Sequence, residues 1–301
     1  MAIELFGFKI GKDEPQKDKP TIKTFAPPEN LDGAVTVSEG GVFGTTVDLD
    51  GTAKTEAALI TRYRDMAYQP ECEKAIDDII NECIVLDTHE NIVDIILDDV
   101  EGLSESIKKR ITEEFDSVLD LLNFSSRGYE IFKNWYVDGR IYYHVMIDDQ
   151  KTKEGIQELR FIDPRKIKKV RAEKRKTAQQ VNDKNVIAKR YNEYFIYSPK
   201  GVSAGNQGVK ISPDSIAYCH SGLLDQKNSM VLSHIHKAIK PLNQLRMLED
   251  YWLPRREGGK GTEISTLPGG QNLGEIEDVL YFRRKLYEAL NVPFSRMETE
   301  A

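Results

Sequence analysis

The sequence predicts an α+β protein in which helical segments bracket a strand-rich middle. Three observations carry that expectation. Apolar residues recur at three- and four-residue spacing through most of Thr55 to Tyr136, and again from about Asn228 to Asn291. Short aromatic and β-branched runs alternate with polar or Gly/Pro breaks between Arg140 and His220. The first 55 residues carry Pro15, Pro20, Pro27 and Pro28 with little periodic pattern.

Taken in order, residues 1–55 read as an extended arm, ordered only where partners hold it. TEAALITRYRDMAY and ECEKAIDDIINECIV then form a helix pair. Pro70 opens the second helix, which carries Ala75, Ile76, Ile79, Ile80 and Cys83 on one face. NIVDIILD is strand-like. SESIKKRITEEFDSVLDLLNF places Ile107, Ile111, Phe115, Val118 and Leu122 on one helical face behind Ser104 as N-cap. A further helix runs from about Arg127 to Tyr136 and stops at Asp138-Gly139. RIYYHVMI, QELRFID, NEYFIY and SIAYCH are the expected strands of an antiparallel or mixed sheet. His144, on the first of them, is expected to be structural.

From about Asn228 the chain is expected to turn helical again, with Ile235, Ala238, Leu242, Leu245 and Leu248 in a narrow seam and Pro241 bending the helix. The last helix, EIEDVLYFRRKLYEALN, has acids in its first turn and Arg283, Arg284 and Lys285 further on, and Pro293 closes it. Its apolar row contains Ile276, Val279, Leu286 and Leu290. Both seams look too greasy for one chain, so neighbouring copies are expected to cover them.

At 301 residues there is room for one large or two ordinary domains. No apolar run is long enough to cross a bilayer, and MAIELFGFKIGKDEP lacks a signal-peptide pattern, so the chain is expected to stay in the cytoplasm. Cys72, Cys83 and Cys219 are too scattered for a disulfide or zinc framework and should be free and largely buried. His234 and His236, two apart, would point to different helix faces, so neither a metal nor a cofactor is expected.

The net charge of −7 hides strong segregation. From Asp65 to Asp120 there are 17 acids against 4 bases, and from Lys151 to Arg190 14 bases against 5 acids. The basic run is centred on Arg165, Lys166, Lys168, Lys169, Arg171, Lys174, Arg175 and Lys176. It reads either as a solvated face or as a seat for an anionic partner, nucleic acid or an acidic surface on another subunit.

Two motifs invite chemistry. VDLDGT, with Asp48 and Asp50, matches the carboxylate pair of haloacid-dehalogenase-type phosphatases, but GGVFGTT ahead of it is no apolar strand to present the first aspartate. GGKGT resembles a phosphate loop, yet Pro254 and Gly261 occupy the places that need glycine and Ser/Thr. A phosphatase on Asp48 and Asp50 and a stand-alone nucleic-acid-binding module on residues 165–176 are the two alternatives to the reading that follows.

The strings NWYVDGRIYYH (134–144), GIQELRFIDPRKI (155–167), YNEYFIY (191–197), AYCHSGLLD (217–225), AIKPLNQLRMLED (238–250) and DYWLPRREGGKGTEISTLPGGQNLGEIEDVLYFRRKLYEALNVPFSR (250–296) resemble the portal vertex protein of T-even-type tailed bacteriophages. The resemblance implies a non-enzymatic portal fold: an α/β wing domain and a two-helix stem, assembling as a homododecameric ring at one capsid vertex. DNA would enter through it, driven by the terminase large subunit, and later leave. It implies further partners in the major capsid protein, the scaffold and the neck or head-completion proteins, with double-stranded DNA sliding through the channel. The site is the virion, preceded during assembly by the host cytoplasm and the inner face of its membrane.

Mapped onto this chain, the resemblance implies a wing over 56–228, a first stem helix over 229–250, a clip remnant over 251–273, a second stem helix over 274–292, and the start of a channel loop at 293–301. Arg255, Arg256 and Lys260 become candidates for terminase docking. Ile235, Leu242, Leu245, Leu248, Ile276, Val279, Leu286 and Leu290 become candidates for ring packing. The sequence departs from the family where Asp250 runs directly into Tyr251, at which point several tens of residues of stem and clip are expected, and again after NVPFSRM.

Overall fold

A computed structural model describes residues 3–5, 8–10, 30–38, 45–85, 92–148, 150, 155–174, 190–201, 208–226, 228, 230–252 and 272–297. The arm contains structure of its own. β1 (Ile3–Leu5) pairs antiparallel with β2 (Phe8–Ile10), and β3 (Val35–Ser38) joins a larger sheet. α1 (Thr45–Ala67) starts well ahead of Thr55 and takes VDLDGT into its first turns. α2 (Pro70–Cys83) follows, with Pro70 in its first turn, where a missing N–H costs nothing.

α3 (Glu105–Leu122) and α4 (Phe124–Asp138) are joined at Asn123 in the left-handed conformation. α4 ends at Gly139, with φ 72°, and a Cβ there would lie 2.6 Å from the Leu232 carbonyl oxygen, so the turn into the sheet demands glycine. The next residue opens β4 (Arg140–Ile147). It is the middle strand of an antiparallel three-stranded sheet, between β5 (Ile156–Ile162) and β9 (Ile216–His220). The second sheet runs in the order β3, β6 (Ile167–Lys174), β7 (Arg190–Tyr197), β8 (Val209–Ile211), with β3 parallel to β6 and the remaining pairs antiparallel. The mixed sheet expectation is met, although the basic run itself supplies a strand that charge alone concealed.

Among the described residues two apolar cores result. Between the sheets lie Tyr142, Ile167, Phe195 and Ile216. The larger core is helical, gathering Tyr63, Ile76, Ile80, Tyr136 and Ile235 with Leu242 and Leu245 of α5 (Ile239–Trp252) and Leu286 and Leu290 of α6 (Asn272–Ala289). α7 (Phe294–Met297) follows Pro293.

Several expectations are corrected here. Residues 92–98 form no strand. The helix expected from 229 begins only at Ile239, after a bridge between Leu224 and Val231 and a single 3-10 turn at His236–Ala238. Pro241 is therefore the third residue of α5, in the turn whose N–H groups lack helical partners, and gives no interior bend. α5 passes through Asp250 and Tyr251 without a break. Cys72 is buried, but Cys83 and Cys219 are exposed.

The seams change most. Ile235, Leu242, Leu245, Leu286 and Leu290 are all buried within a single chain, and Val279 packs against the same core. Leu248 is half-buried, and the side chain of Ile276 lies outside the described residues. The cover expected from sister copies is supplied within the same chain, where α5 and α6 pack on each other in one core with residues of α1, α2 and α4, so these residues no longer argue for a ring by themselves.

Candidate assembly surfaces and their ion-pair framework

β6 sits between β3 and β7, so both of its edges are hydrogen-bonded to neighbouring strands. Lys168 is 3% exposed and Arg171 7%. A buried cation needs a partner, and each has one. The Lys168 ammonium donates to the Glu56 carboxylate of α1, whose other oxygen lies 3.1 Å from Arg140 of β4. Arg140 also donates to the Val231 carbonyl. Burial lowers the Lys168 pKa below that of an ordinary lysine, against the pull of Glu56.

Lys169 lies 2.6 Å from Asp32 and 3.1 Å from Glu193, and Arg171 lies 2.7 Å from Glu193 and 3.3 Å from Asp32. Burial tends to raise the Asp32 carboxyl, but hydrogen bonds from Lys169 and the Ala34 amide outweigh it and hold it below its ordinary value. Arg165 is bound to Asp163 at 2.7 Å, and Lys166 is half-buried. Lys174 ends β6, while Arg175 and Lys176 lie outside the described residues. The expected open basic patch is thus corrected: Lys168, Lys169 and Arg171 bind acids of the same chain, because the run folds as an interior strand. A nucleic-acid module built on this run loses its central cations.

A second set of pairs fastens the helices. Arg64 grips Asp138 through two bonds of 2.9 and 2.7 Å and reaches Asp163 at 3.4 Å, tying α1 to the end of α4 and to the turn after β5. Burial raises the Asp138 carboxyl pKa despite Arg64. α2 holds the C-terminal helices through carboxylates, Glu71 to Arg246 at 3.2 Å and Asp78 to Arg296 at 3.1 Å.

His234 and His236 serve packing. His236 Nδ1 meets the Tyr63 hydroxyl at 2.6 Å, and His234 stacks on Tyr136 with ring centres 4.9 Å apart. Burial lowers the pKa of both. Among the described residues no group of three or more His, Cys, Asp or Glu side chains is placed to hold a metal. Asp48 and Asp50 lie on helical backbone, whereas the phosphatase chemistry needs its first aspartate at the end of a strand. Arg255, Arg256, Lys260 and the GGKGT loop lie outside the described residues.

Two features escaped the sequence reading. Glu56 stands four residues before Ile60 and seven before Tyr63, so an acid falls on the buried face of α1; that spacing was the available signal for a buried pair. The other is α3, whose apolar row is regular yet contains no buried residue.

The sequence profile of the family described as "Bacteriophage T4-like portal protein (Gp20)" matches residues 56–250 and 247–301. The two matches overlap at residues 247–250, where the stem and clip segment was expected to be missing. A portal protein of Vibrio phage KVP40 is 33% identical over 366 aligned positions, covering 94% of this chain and 70% of that protein. A portal protein of Salmonella phage ViI is 30% identical over 344 positions, covering 89% of this chain and 61% of that protein. Both alignments are longer than the 301 residues here, so each relative carries additional residues inside the matched region.

Proposed function

The chain belongs to the bacteriophage T4-like portal protein family, and from that membership we propose that it works as one subunit of a homododecameric ring forming the DNA channel at a capsid vertex. The observation that carries this reading is the pair of family matches that together run from residue 56 to residue 301. In this reading the ring nucleates head assembly, admits the genome under the drive of the terminase large subunit, and joins the neck. It contacts the major capsid protein and scaffold at its rim and acts without catalysis of its own. Its place is the virion, reached by assembly in the host cytoplasm at the inner face of the membrane.

Residues 56–228 act as the wing, α5 and α6 as the stem, and Arg255, Arg256 and Lys260 as clip contacts for the motor. α5 and α6 pack on each other and share one helical core with α1, α2 and α4, while the two sheets form a core of their own. A channel must let DNA slide, and a tight grip on phosphates would add salt-dependent affinity that stalls transport. The modest negative charge of −7, with Lys168, Lys169 and Arg171 bound internally, suits that requirement. No helix of the described residues is long and apolar enough to cross a membrane.

The test is the mass and shape of the purified chain. Negative-stain images and native mass measurement should show closed rings of about twelve copies, as portal subunits require by their rotational symmetry. A chain that stays monomeric at every concentration would refute the reading.

A further inference from the structure

The chain passes from β9 to α5 through residues 221–238, a strap whose regular structure is one bridge between Leu224 and Val231 and one 3-10 turn at His236–Ala238. Its second half is nevertheless buried at Val231, Ser233 and Ile235, so its backbone polar groups need partners inside the fold. On the sheet side Arg140 donates to the Val231 carbonyl, and the Ser221 hydroxyl lies 2.6 Å from the Leu232 carbonyl. On the helix side the Ser233 hydroxyl donates to the Tyr136 carbonyl at 3.1 Å and accepts the Ile235 amide at 3.2 Å. Gly33 gives the strap room, since a Cβ there would lie 2.7 Å from the Val231 side chain.

Two of the chain's five histidines stand in this strap, and their surroundings suit the neutral ring. The Tyr63 hydroxyl of α1 receives the Ser233 amide, so its own proton goes to His236 Nδ1, 2.6 Å away. A proton on Nδ1 removes that acceptor and leaves the O–H of a fully buried tyrosine unpaired. Arg62 of α1 also acts on His236 and, as a cation, opposes its protonation, as does the N-terminus of α5 close behind it. His234 lies against two rings of α4, Tyr136 at 4.9 Å and Trp135 at 4.8 Å between centres. Its Nε2 is buried and meets no hydrogen-bond partner among the described residues, so a proton added there finds no acceptor. The Tyr136 face attracts an imidazolium, but a buried, unpaired charged N–H costs more. Among the described residues no carboxylate of α1, α4, α6 or the strap acts on either ring.

We propose that residues 231–238 form an acid-released latch between the sheets and the C-terminal helices, opened when His234 and His236 take up protons. Closed, it ties the approach to α5 to α1 through Tyr63 and to α4 through Tyr136. Opened, it withdraws Ile235 and Ala238 from the helical core they share with Leu242 and Leu245. The direction with pH follows from burial, which lowers both imidazoles below their ordinary value of 6.5. The folded chain then binds fewer protons than the unfolded one, so the latch is fully stabilised above pH 6.5 and loses that stabilisation as pH falls through the folded values beneath it. The inference uses the fold alone and holds whether or not copies of the chain assemble.

Amide hydrogen exchange on the full chain tests this, with protection taken against the unfolded exchange rate at each pH so that the chemistry of exchange cancels. Between about pH 7.5 and about pH 5.5 the bonded strap amides of Leu232, Ile235, His236 and Ala238 should lose about tenfold or more in protection, one pKa unit being a factor of about ten. The paired amides of β4 and β9 should not follow. In the double variant His234→Gln with His236→Gln, whose amides take up no proton, the strap should keep its protection within about twofold over the same range. Strap protection that stays flat in the parent, falls as far in the double variant, or falls together with that of β4 and β9 would overturn the inference. Should the double variant unfold, deuterium uptake at the imidazole C2 positions of the unmodified chain, read by mass, decides instead. Both rings titrating below 6.5, in step with the strap's loss of protection, would uphold the latch; either ring titrating at or above that value, or out of step with the strap, would overturn it.

Discussion

Replacing Leu245 with alanine separates two origins for the cover over α5. Leu245 is fully buried in the helical core, alongside Leu242, Leu286 and Leu290. The substitution removes about three carbon groups at about 0.8 kcal/mol each, and the space left behind adds to that, for a total of about 3–4 kcal/mol. Met247, two positions along and 72% exposed, is the internal control, and its alanine variant should stay within about 0.5 kcal/mol of the parent. The assay is urea unfolding followed by circular dichroism over a range of chain concentrations, because assembly adds stability that dilution removes. The reasoning expects the Leu245→Ala loss to persist unchanged at the lowest concentration. A loss under about 1 kcal/mol there, growing only where rings form, would show that sister copies cover the seam after all.

Three further outcomes follow from the same structure. Glu56→Gln leaves Arg140 and Lys168 buried without their carboxylate and should cost about 3–5 kcal/mol in urea unfolding, part of it recovered by adding Lys168→Met; a near-neutral variant would refute the buried pair. Gly139→Ala should cost well over about 2 kcal/mol, since φ is 72° and the new Cβ meets a backbone oxygen, whereas Gly102→Ala, at φ 87° with open space around it, should show only the backbone cost of about 1–2 kcal/mol. At Asp163 burial acts to raise the carboxyl, but Arg165 and Arg64 prevail and bring it from 3.8 down to about 2. A depressed carboxyl stabilises the fold above its unfolded pKa and loses that contribution as pH falls toward 2, so Asp163→Asn should flatten the acid side of the stability profile by about 1 kcal/mol after solvent screening.

The helices α2, α3, α4 and α6 and the strands β4, β5, β7 and β9 were legible in the chain because their apolar spacing is regular over many residues. β6 was not. IKKVRAEK contributes Ile167, Val170 and Ala172 to buried positions, but its charges suggest solvent to any reading that lacks the acids waiting at Glu56, Asp32 and Glu193. Those partners lie more than a hundred residues upstream for Glu56 and Asp32, and no local pattern announces them. The start of α1 was missed for a related reason, since GTTVDLDGT has little apolar period of its own.

Local order in the chain was thus enough to settle α2, α3, α4 and α6, the strands β4, β5, β7 and β9, where Pro70 and Gly139 punctuate them, and which family the strings around residues 134–296 resemble. Periodicity and turn chemistry act over a few residues and need no distant partner. Tertiary structure alone decided which side chains are covered and which charges are spent. It turned the seams of α5 and α6 onto each other and into one core with α1, α2 and α4, drew Lys168 and Arg171 into ion pairs, and left α3 half open. Burial and pairing depend on what the folded chain brings alongside a residue, and a residue's sequence neighbours do not carry that information.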